Sequence, residues 1–331
     1  MQPRPGPSVG PYERVLWSNA TMTLGSFDAS PDLDDFETAG QIGTRPAIAF
    51  SRSAVGIAHA RRAPVVSDGT VAVLHNPGWP FRRYRLDPSG DHCEWLSVDA
   101  EALLSLNPRL GRDPRSPFAS STVPLPRRAA ALVRLVARHL RESGGQISDC
   151  PSGGQVPWEV RRGALAPGRA SGDLTPPDAL FVEETLLQVL SLLAPSGPPA
   201  RTRGSLRHDR IARRVRELLS SRPHEDWTVA AIAREAGASA FHVCRLFRRR
   251  TGWTLHGYLT EQRLLAALAR MTVGDRRDSD LRALAASLRF SSHSHFTNRF
   301  RRAFGVPPSR FRRRATAETV RELAASIDTS S

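Results

Sequence analysis

The C-terminal third of this chain contains one pattern twice: a short helix of small residues, a turn, and a second helix crowded with Arg, His, Ser and Thr. The first copy runs from Val229 to Gly252 and the second from Leu281 to Gly305. This pattern is typical of a helix-turn-helix unit, whose second helix enters the major groove of DNA. Two units in tandem predict an all-helical domain that presents two reading helices to one face of a duplex.

The charge of the chain is concentrated in the same region. Residues 1–204 hold 22 Arg against 20 Asp and Glu, a net of +2, whereas residues 205–331 hold 25 Arg against 12 Asp and Glu, a net of +13. The chain contains no Lys, so its permanent positive charge is carried by Arg, which forms bidentate contacts with phosphates and guanine edges. A basic block confined to one domain indicates a polyanion-binding region.

The length of 331 residues allows two domains with buried cores. No run of about 18 apolar residues is present, so we expect no transmembrane helix and no membrane partner. The N-terminus lacks the apolar core of a signal peptide, and we expect a cytoplasmic protein. The three cysteines Cys93, Cys150 and Cys244 are widely spaced and odd in number, which predicts free thiols rather than a disulfide framework or a zinc site.

Hydrophobic spacing and turn signals predict an α+β chain. Residues 1–14 are rich in Pro and Gly and are predicted to be disordered. Residues 15–193 are predicted to form a small antiparallel β-barrel or sandwich followed by two helices near 126–141 and 178–193, with a flexible insertion at 143–177. The remaining predicted segments are a Pro-rich linker at 194–205, the helix-turn-helix domain at 206–315 and a tail at 316–331 with one frayed helix.

In the first unit, Thr228 is the predicted N-cap of the positioning helix, and Gly237 supplies the left-handed turn that follows it. Ser239 is predicted to cap the reading helix, at about 240–250. Three-to-four spacing separates an apolar stripe from an outward face. The residues predicted to contact DNA are Ser239, Phe241, Cys244, Arg245 and Arg248.

In the second unit, Phe290 is predicted to plug the turn, and Ser291 or Ser292 to cap the reading helix. The connector at 254–271 spans about 27 Å at ~1.5 Å per residue, which is near the ~34 Å of one duplex turn. The two reading helices are therefore expected to reach successive major grooves. The residues predicted to contact DNA in this unit are His293, Ser294, His295, Thr297, Asn298 and Arg301.

From about Trp227 to Arg314 the chain resembles the DNA-binding domain of the AraC/XylS family of bacterial transcription regulators. The family usually has Gly immediately before the plug aromatic, but here the residue is Arg289, so this turn must take a different φ or tolerate strain. The resemblance covers about a quarter of the chain. Its matching residues include Gly237, Arg245-Leu246-Phe247, Arg263-Leu264, Phe290, His295-Phe296, Phe304-Gly305 and Pro307-Pro308.

The resemblance implies a sequence-specific regulator that binds double-stranded DNA and activates transcription by contacting RNA polymerase. It also implies a cupin-like N-terminal domain that senses a small-molecule effector or forms a homodimer. The two helices near 126–141 and 178–193 are then expected to pair across the dimer. The residues expected to line the effector pocket are Phe50, His59, Trp79, Tyr84 and Trp95.

Two alternatives remain open at this point. One is a ligand-independent regulator whose barrel only dimerises. The other is a metal-dependent cupin enzyme with an attached DNA domain, which would need a His-x-His pair and a nearby Glu. The N-terminal half offers only His92-Cys93-Glu94, whose neighbours alternate between faces in a strand, while His293 and His295 diverge on a helix. We therefore expect no catalytic residues, no metal and no cofactor.

Overall fold

A computed structural model of the chain describes residues 13–29, 40–41, 44–60, 62–110, 113–143, 176–193, 206–273, 280–313 and 316–328. The strands in these residues are β1 Glu13–Ser18, β2 Met22–Ala29, β3 Gly40–Gln41, β4 Ala47–Ser51, β5 Val55–His59, β6 Val65–Ser67, β7 Val71–His75, β8 Pro80–Arg85, β9 Asp91–Val98 and β10 Thr122–Pro124.

The helices of the N-terminal half are α1 Ala100–Leu106, α2 Arg127–Glu142 and α3 Pro176–Leu192. The helices of the C-terminal half are α4 Leu206–Ser221, α5 Val229–Glu235, α6 Ala240–Thr251, α7 Leu255–Val273, α8 Leu281–Ser287, α9 His293–Phe304, α10 Pro308–Phe311 and α11 Ala317–Asp328. The fold class is α+β, as the sequence predicts.

The strands form two antiparallel sheets rather than a closed barrel. The larger sheet has the order β1-β2-β9-β4-β7-β10 and the smaller has the order β3-β8-β5-β6. Strand alternation gives the larger sheet two buried faces. Ile48 and Leu96 are paired on the face that packs against the helices, whereas Ala49 and Trp95, one residue away, lie on the face toward the smaller sheet.

Helix α2 lies at the centre of the molecule. Its side chains are buried without interruption from Ala129 to Leu140. Apolar residues of α2 share one core with the larger sheet, α3, α7 and α9. The prediction that α2 pairs across a dimer is therefore wrong, because this helix has no exposed apolar face to offer a second copy.

The second helix-turn-helix unit belongs to this same core. Phe296, Phe300 and Phe304 of α9 are fully buried in the cluster that also contains the sheet and α2. The predicted tail is also part of it, since Val320 of α11 is fully buried there. The first unit instead buries a separate cluster around Val215, Val243, Phe247 and Tyr258, which is formed by residues of α4, α5, α6 and α7.

The segment boundaries differ from the prediction at two points. Strand β1 begins at Glu13, inside the segment that was expected to be disordered, because its residues pair with β2. Helix α3 begins at Pro176, two residues inside the predicted insertion. The predictions for 1–12, 144–175 and 194–205, and for Cys150, lie outside the described residues.

Two buried arginines of α2 connect the halves of the chain. Arg134 donates from Nη2 to the Ser51 carbonyl at 2.9 Å and from Nη1 to the Leu265 carbonyl at 3.2 Å. Arg138 donates from Nη1 to the carbonyls of Met271 at 3.1 Å and Phe311 at 2.6 Å. Burial lowers the pKa of Arg134 to about 10, so its guanidinium remains charged at neutral pH. These bonds tie α7 and α10 to the N-terminal half.

Asp68, in the turn between β6 and β7, makes a corresponding junction to the first unit. Its buried Oδ2 accepts hydrogen bonds from the Tyr258 hydroxyl and from Arg216 Nη2, the latter at 2.6 Å. Burial alone would lower the pKa of Arg216, but the Asp68 carboxylate and Tyr258 outweigh it, and the pKa is raised. The carboxylate therefore satisfies a buried tyrosine and a half-buried arginine of the helical region at once.

Replacing Asp68 with Ala is expected to destabilise the protein by about 3–5 kcal/mol, because Arg216 keeps its charge but loses the only carboxylate described beside it. Chemical denaturation of the full chain measures this change. Asp113→Ala is the matched control, since Asp113 is an exposed turn residue whose side chain bonds only the nearby Arg115 amide among the bonds described. A loss below about 1 kcal/mol for Asp68→Ala, which is the size of an ordinary surface change, would contradict a structural role for the junction.

Candidate nucleic-acid interface

The first unit is assembled by the capping groups that the sequence predicts. The Thr228 hydroxyl caps α5 by accepting from the Ala231 amide at 3.1 Å, and the Ser239 hydroxyl caps α6 by accepting from the His242 amide at 3.3 Å. Between the helices Gly237 has φ +63°, and the Ala238 amide donates back to the Ala233 carbonyl at 3.0 Å. This left-handed turn redirects the chain so that α6 projects outward from α5.

The second unit repeats this geometry without the glycine. Ser292 caps α9 by accepting from the His295 amide at 3.0 Å. In the turn, the Phe290 amide donates to the Ala285 carbonyl at 3.0 Å, as Ala238 does in the first unit. Arg289 occupies the left-handed position with φ +58°, which is sterically unfavourable for a residue with a side chain. The backbone therefore keeps the same turn, with local strain at Arg289, where the sequence departs from the family pattern.

Helix α6 presents a basic outward face. Its apolar side is buried through Val243, Leu246 and Phe247, and its C-terminal end is attached to α4 by an ion pair between Arg250 and Asp209 at 3.1 Å. The Phe241 side chain is 76% exposed, so this aromatic ring is available to an apolar partner such as a thymine methyl group. All of the predicted contact residues of α6 are exposed: Phe241, Cys244, Arg245 and Arg248.

Helix α9 presents a second outward face, although two of its predicted contacts are engaged elsewhere. The His295 ring is half-buried, packs against Phe290 and is hydrogen bonded to the Ser291 hydroxyl at 2.8 Å. The Thr297 hydroxyl oxygen is inaccessible to solvent because Thr297 lies on the flank of the buried stripe, so it is not available to a base in this conformation. The exposed predicted residues of α9 are His293, Ser294, Asn298 and Arg301.

Two exposed arginines on these faces were missed by the sequence analysis. Arg249 follows Arg245 by four residues on α6, and Arg302 follows Asn298 by four residues on α9. Residues at this spacing lie on one side of a helix. Extending the three-to-four spacing into the last turn of each reading helix would have found both, and each adds positive charge beside the predicted contacts.

The five residues predicted to line an effector pocket are not brought together. Phe50 faces the helices, because it is paired with Glu94 and so lies on the opposite face of the sheet from Trp95. Tyr84 lies on the outer face of the smaller sheet, where its ring covers Gly56. Strand alternation therefore corrects this prediction. Of the five residues, only His59, Trp79 and Trp95 remain as candidates for the pocket, and the ring centroids of His59 and Trp79 are 5.9 Å apart.

The space between the two sheets contains several buried polar groups. His59 Nε2 and His75 Nδ1 are 3.1 Å apart, and burial lowers the pKa of both rings, that of His59 to about 4 with a further contribution from Arg62. Burial also raises the pKa of Glu13 to about 8, although Arg83 opposes the shift. At neutral pH both rings are therefore uncharged, and the Glu13 carboxyl is largely protonated.

The His92-Cys93-Glu94 run alternates between sheet faces, as strand geometry predicts. His92 is hydrogen bonded to Asp28 at 2.9 Å, which raises the pKa of its ring. Glu94 lies on the same face as His92 and accepts from Arg141 at 2.9 Å, while buried Cys93 points to the opposite face. Within the described ranges, no cluster of three or more His, Cys, Asp or Glu side chains could hold a metal ion, and no helix is long and apolar enough to span a membrane.

Comparison with known proteins agrees with this geometry. A family profile described as a helix-turn-helix domain matches residues 232–314. The virulence regulon transcriptional activator VirF of Yersinia enterocolitica is 32% identical over 142 residues, which are 42% of this chain and 50% of VirF. The probable transcription factor PqrA of Proteus vulgaris is 31% identical over 93 residues, which are 28% of this chain and 74% of PqrA.

A solved structure of ToxT from Vibrio cholerae O395 aligns with 90% of this chain and 99% of its own length, at 11% identity and a TM-score of 0.32. The chain spans half the length of VirF but about three quarters of PqrA. The residues matched by the family profile, 232–314, contain both reading helices. The tandem units and their caps, together with the similarity to VirF and PqrA, lead to one assignment: the chain belongs to the AraC/XylS family of bacterial transcription regulators.

Proposed function

We propose that this protein regulates transcription by binding double-stranded DNA sequence-specifically through α6 and α9. The observation that carries the proposal is the pair of capped helices whose exposed faces hold Arg, Asn and Phe. Arg can form bidentate bonds with guanine and Asn with adenine, while Phe can contact a thymine methyl group. The net charge of +13 in residues 205–331 supports attraction to the phosphate backbone.

Activation is the proposed direction of regulation, in keeping with relatives such as VirF that are named as activators. Contact with RNA polymerase, a homodimer and a cytoplasmic location belong to the same proposal. Because α2 is buried, a dimer would have to use another surface, such as the outer side of α3 with its exposed Leu180. Sedimentation of the full chain measures the oligomeric state directly.

The N-terminal half is the proposed effector-sensing part. Supporting this role, polar groups are buried between the two sheets around His59, His75, Glu13 and Arg83. A small molecule that bound one arrangement of the sheets more tightly would shift the population of the whole chain, because the sheet and the second unit share a core. The competing proposal is that the two sheets bind no effector. It predicts that the output of a transcriptional reporter is the same in rich and in minimal medium. We propose no enzymatic activity.

Selection from a random duplex pool by the full chain is expected to yield a defined sequence. Because Arg contacts to phosphates release counterions, the logarithm of the affinity should fall linearly with the logarithm of the salt concentration. Fluorescence anisotropy with the selected duplex and a shuffled duplex checks both points. Equal affinity for the two duplexes at physiological salt would contradict sequence-specific reading.

Alanine substitutions are expected to separate base contacts from phosphate contacts. Asn298→Ala and Arg245→Ala should each cost roughly 1–3 kcal/mol on the selected duplex and relax the preference at one position. Arg248→Ala should weaken binding to all sequences alike. The control is Arg109→Ala, which removes an exposed arginine from the N-terminal half. Unchanged base preferences in both Asn298→Ala and Arg245→Ala would show that the reading faces are misassigned.

A further inference from the structure

The two reading units bury separate apolar clusters, so their relative orientation must be set by something other than a common core. Helix α7 contributes Tyr258 and Leu259 to the cluster of the first unit, and Leu265 and Leu268 to the cluster that holds the second. Apart from this helix, the N-terminal half links the units only indirectly, because the first is bonded to Asp68 and the second shares the core of the sheet. Polar contacts between the units therefore become important.

Arg263 lies on α7 between these two sets of apolar residues and contacts both units. Its Nε donates to the Pro223 carbonyl at 2.8 Å and its Nη2 to the Glu225 carbonyl at 3.0 Å, both in the loop between α4 and α5. Its Nη1 donates to the Arg289 carbonyl at 3.1 Å, in the turn of the second unit. One guanidinium thus bonds the backbone of both units.

Arg289 makes the connection in the opposite direction. From the turn of the second unit, its Nε donates to the His224 carbonyl at 3.1 Å, and its Nη1 lies 3.6 Å from Asp226 Oδ2. Both partners belong to the first unit, in the loop that Arg263 also contacts. The ion pair is exposed and contributes little to stability by itself. Its importance lies in joining two parts whose cores are separate.

The backbone of Arg289 makes this side chain unusual. Its φ of +58° matches the φ of +63° at Gly237, the equivalent residue of the first unit, where a glycine adopts the turn without steric cost. At the second turn a side chain is retained despite that cost, and it reaches across to the first unit, which a glycine could not do. The strain and the contact occur at one residue, as expected where local strain serves a function.

We propose that Arg289, together with Arg263, is a positioning residue that fixes the rotation and separation of α6 and α9, and thereby sets which spacing between two DNA half-sites the protein accepts. The positioning itself follows from the intramolecular contacts, whereas its consequence for DNA rests on the proposed function. The contacts of Arg289 and Arg263 would therefore select a DNA duplex whose half-sites lie at one fixed separation.

The positioning is tested first without DNA. In the full chain with Cys150→Ser, spin labels are attached to the exposed Cys244 of α6 and to Ser294→Cys on α9, and pulsed electron resonance measures their distance distribution. Arg289→Gly and Arg289→Asn should broaden or shift this distribution, since neither side chain reaches His224. Both residues tolerate the left-handed turn, so neither variant should unfold at a lower temperature than the parent.

Arg310→Ala is the matched control, because Arg310 is an exposed arginine beside the second unit that pairs with Glu322 at 3.2 Å, away from the first unit. Its distance distribution should equal that of the parent. An unchanged distribution in both Arg289 variants would overturn the proposal. Broadening in the control as well would also overturn it, since the effect would then not depend on the contact between the units.

The consequence for DNA is tested with the selected duplex and with versions that carry one or two extra base pairs between the half-sites. The parent should discriminate against the lengthened duplexes, and Arg289→Gly should reduce that discrimination by about three- to tenfold, the size expected for one or two hydrogen bonds. Equal discrimination in parent and variant would overturn the role in spacing. If no duplex is selected at all, the proposed function fails, while the label distances still decide the positioning.

Discussion

Burial of α2 on all sides requires neighbours from both halves of the chain, and most of the architecture depends on this requirement. The helix is covered by the larger sheet on one side and by α3, α7, α9 and α11 on the others. Its two buried arginines, Arg134 and Arg138, need carbonyl acceptors, and those acceptors lie at Ser51, Leu265, Met271 and Phe311. Leaving a buried guanidinium without acceptors is strongly unfavourable, so the halves are held in one arrangement.

This arrangement couples the reading helices to the N-terminal half in two different ways. The second unit is continuous with the core of the sheet, whereas the first unit is attached through Asp68 and its bonds to Arg216 and Tyr258. A displacement within the sheets would therefore act on α9 through packing and on α6 through a polar junction. The contacts of Arg263 and Arg289 would transmit either displacement between the units, since they connect the backbones of both.

Much of the reading interface could be predicted from the sequence because it depends on local rules. Ser239 and Ser292 cap their helices, and Phe241 and Asn298 are exposed, since helical spacing alone decides which face is apolar. Thr297 is an exception, because it lies at the margin of the buried stripe and its hydroxyl oxygen is inaccessible to solvent. The glycine missing at Arg289 was visible in the sequence, but its contact with His224 depends on residues 65 positions away.

The sequence by itself determined the fold class, the two reading helices and the family, because caps, periodicity and charge act over a few residues. Only the tertiary structure decided that α2 is a core helix rather than a dimer surface, and that Phe50 and Tyr84 lie on the wrong faces to join His59 and Trp95. The pattern of apolar residues in α2 shows that the helix is amphipathic but not how many neighbours cover it. The number of neighbours depends on contacts between segments that are distant in the sequence. Arg134 and Arg138 can likewise be buried because carbonyls of distant residues accept their hydrogen bonds, and no local sequence pattern indicates those carbonyls.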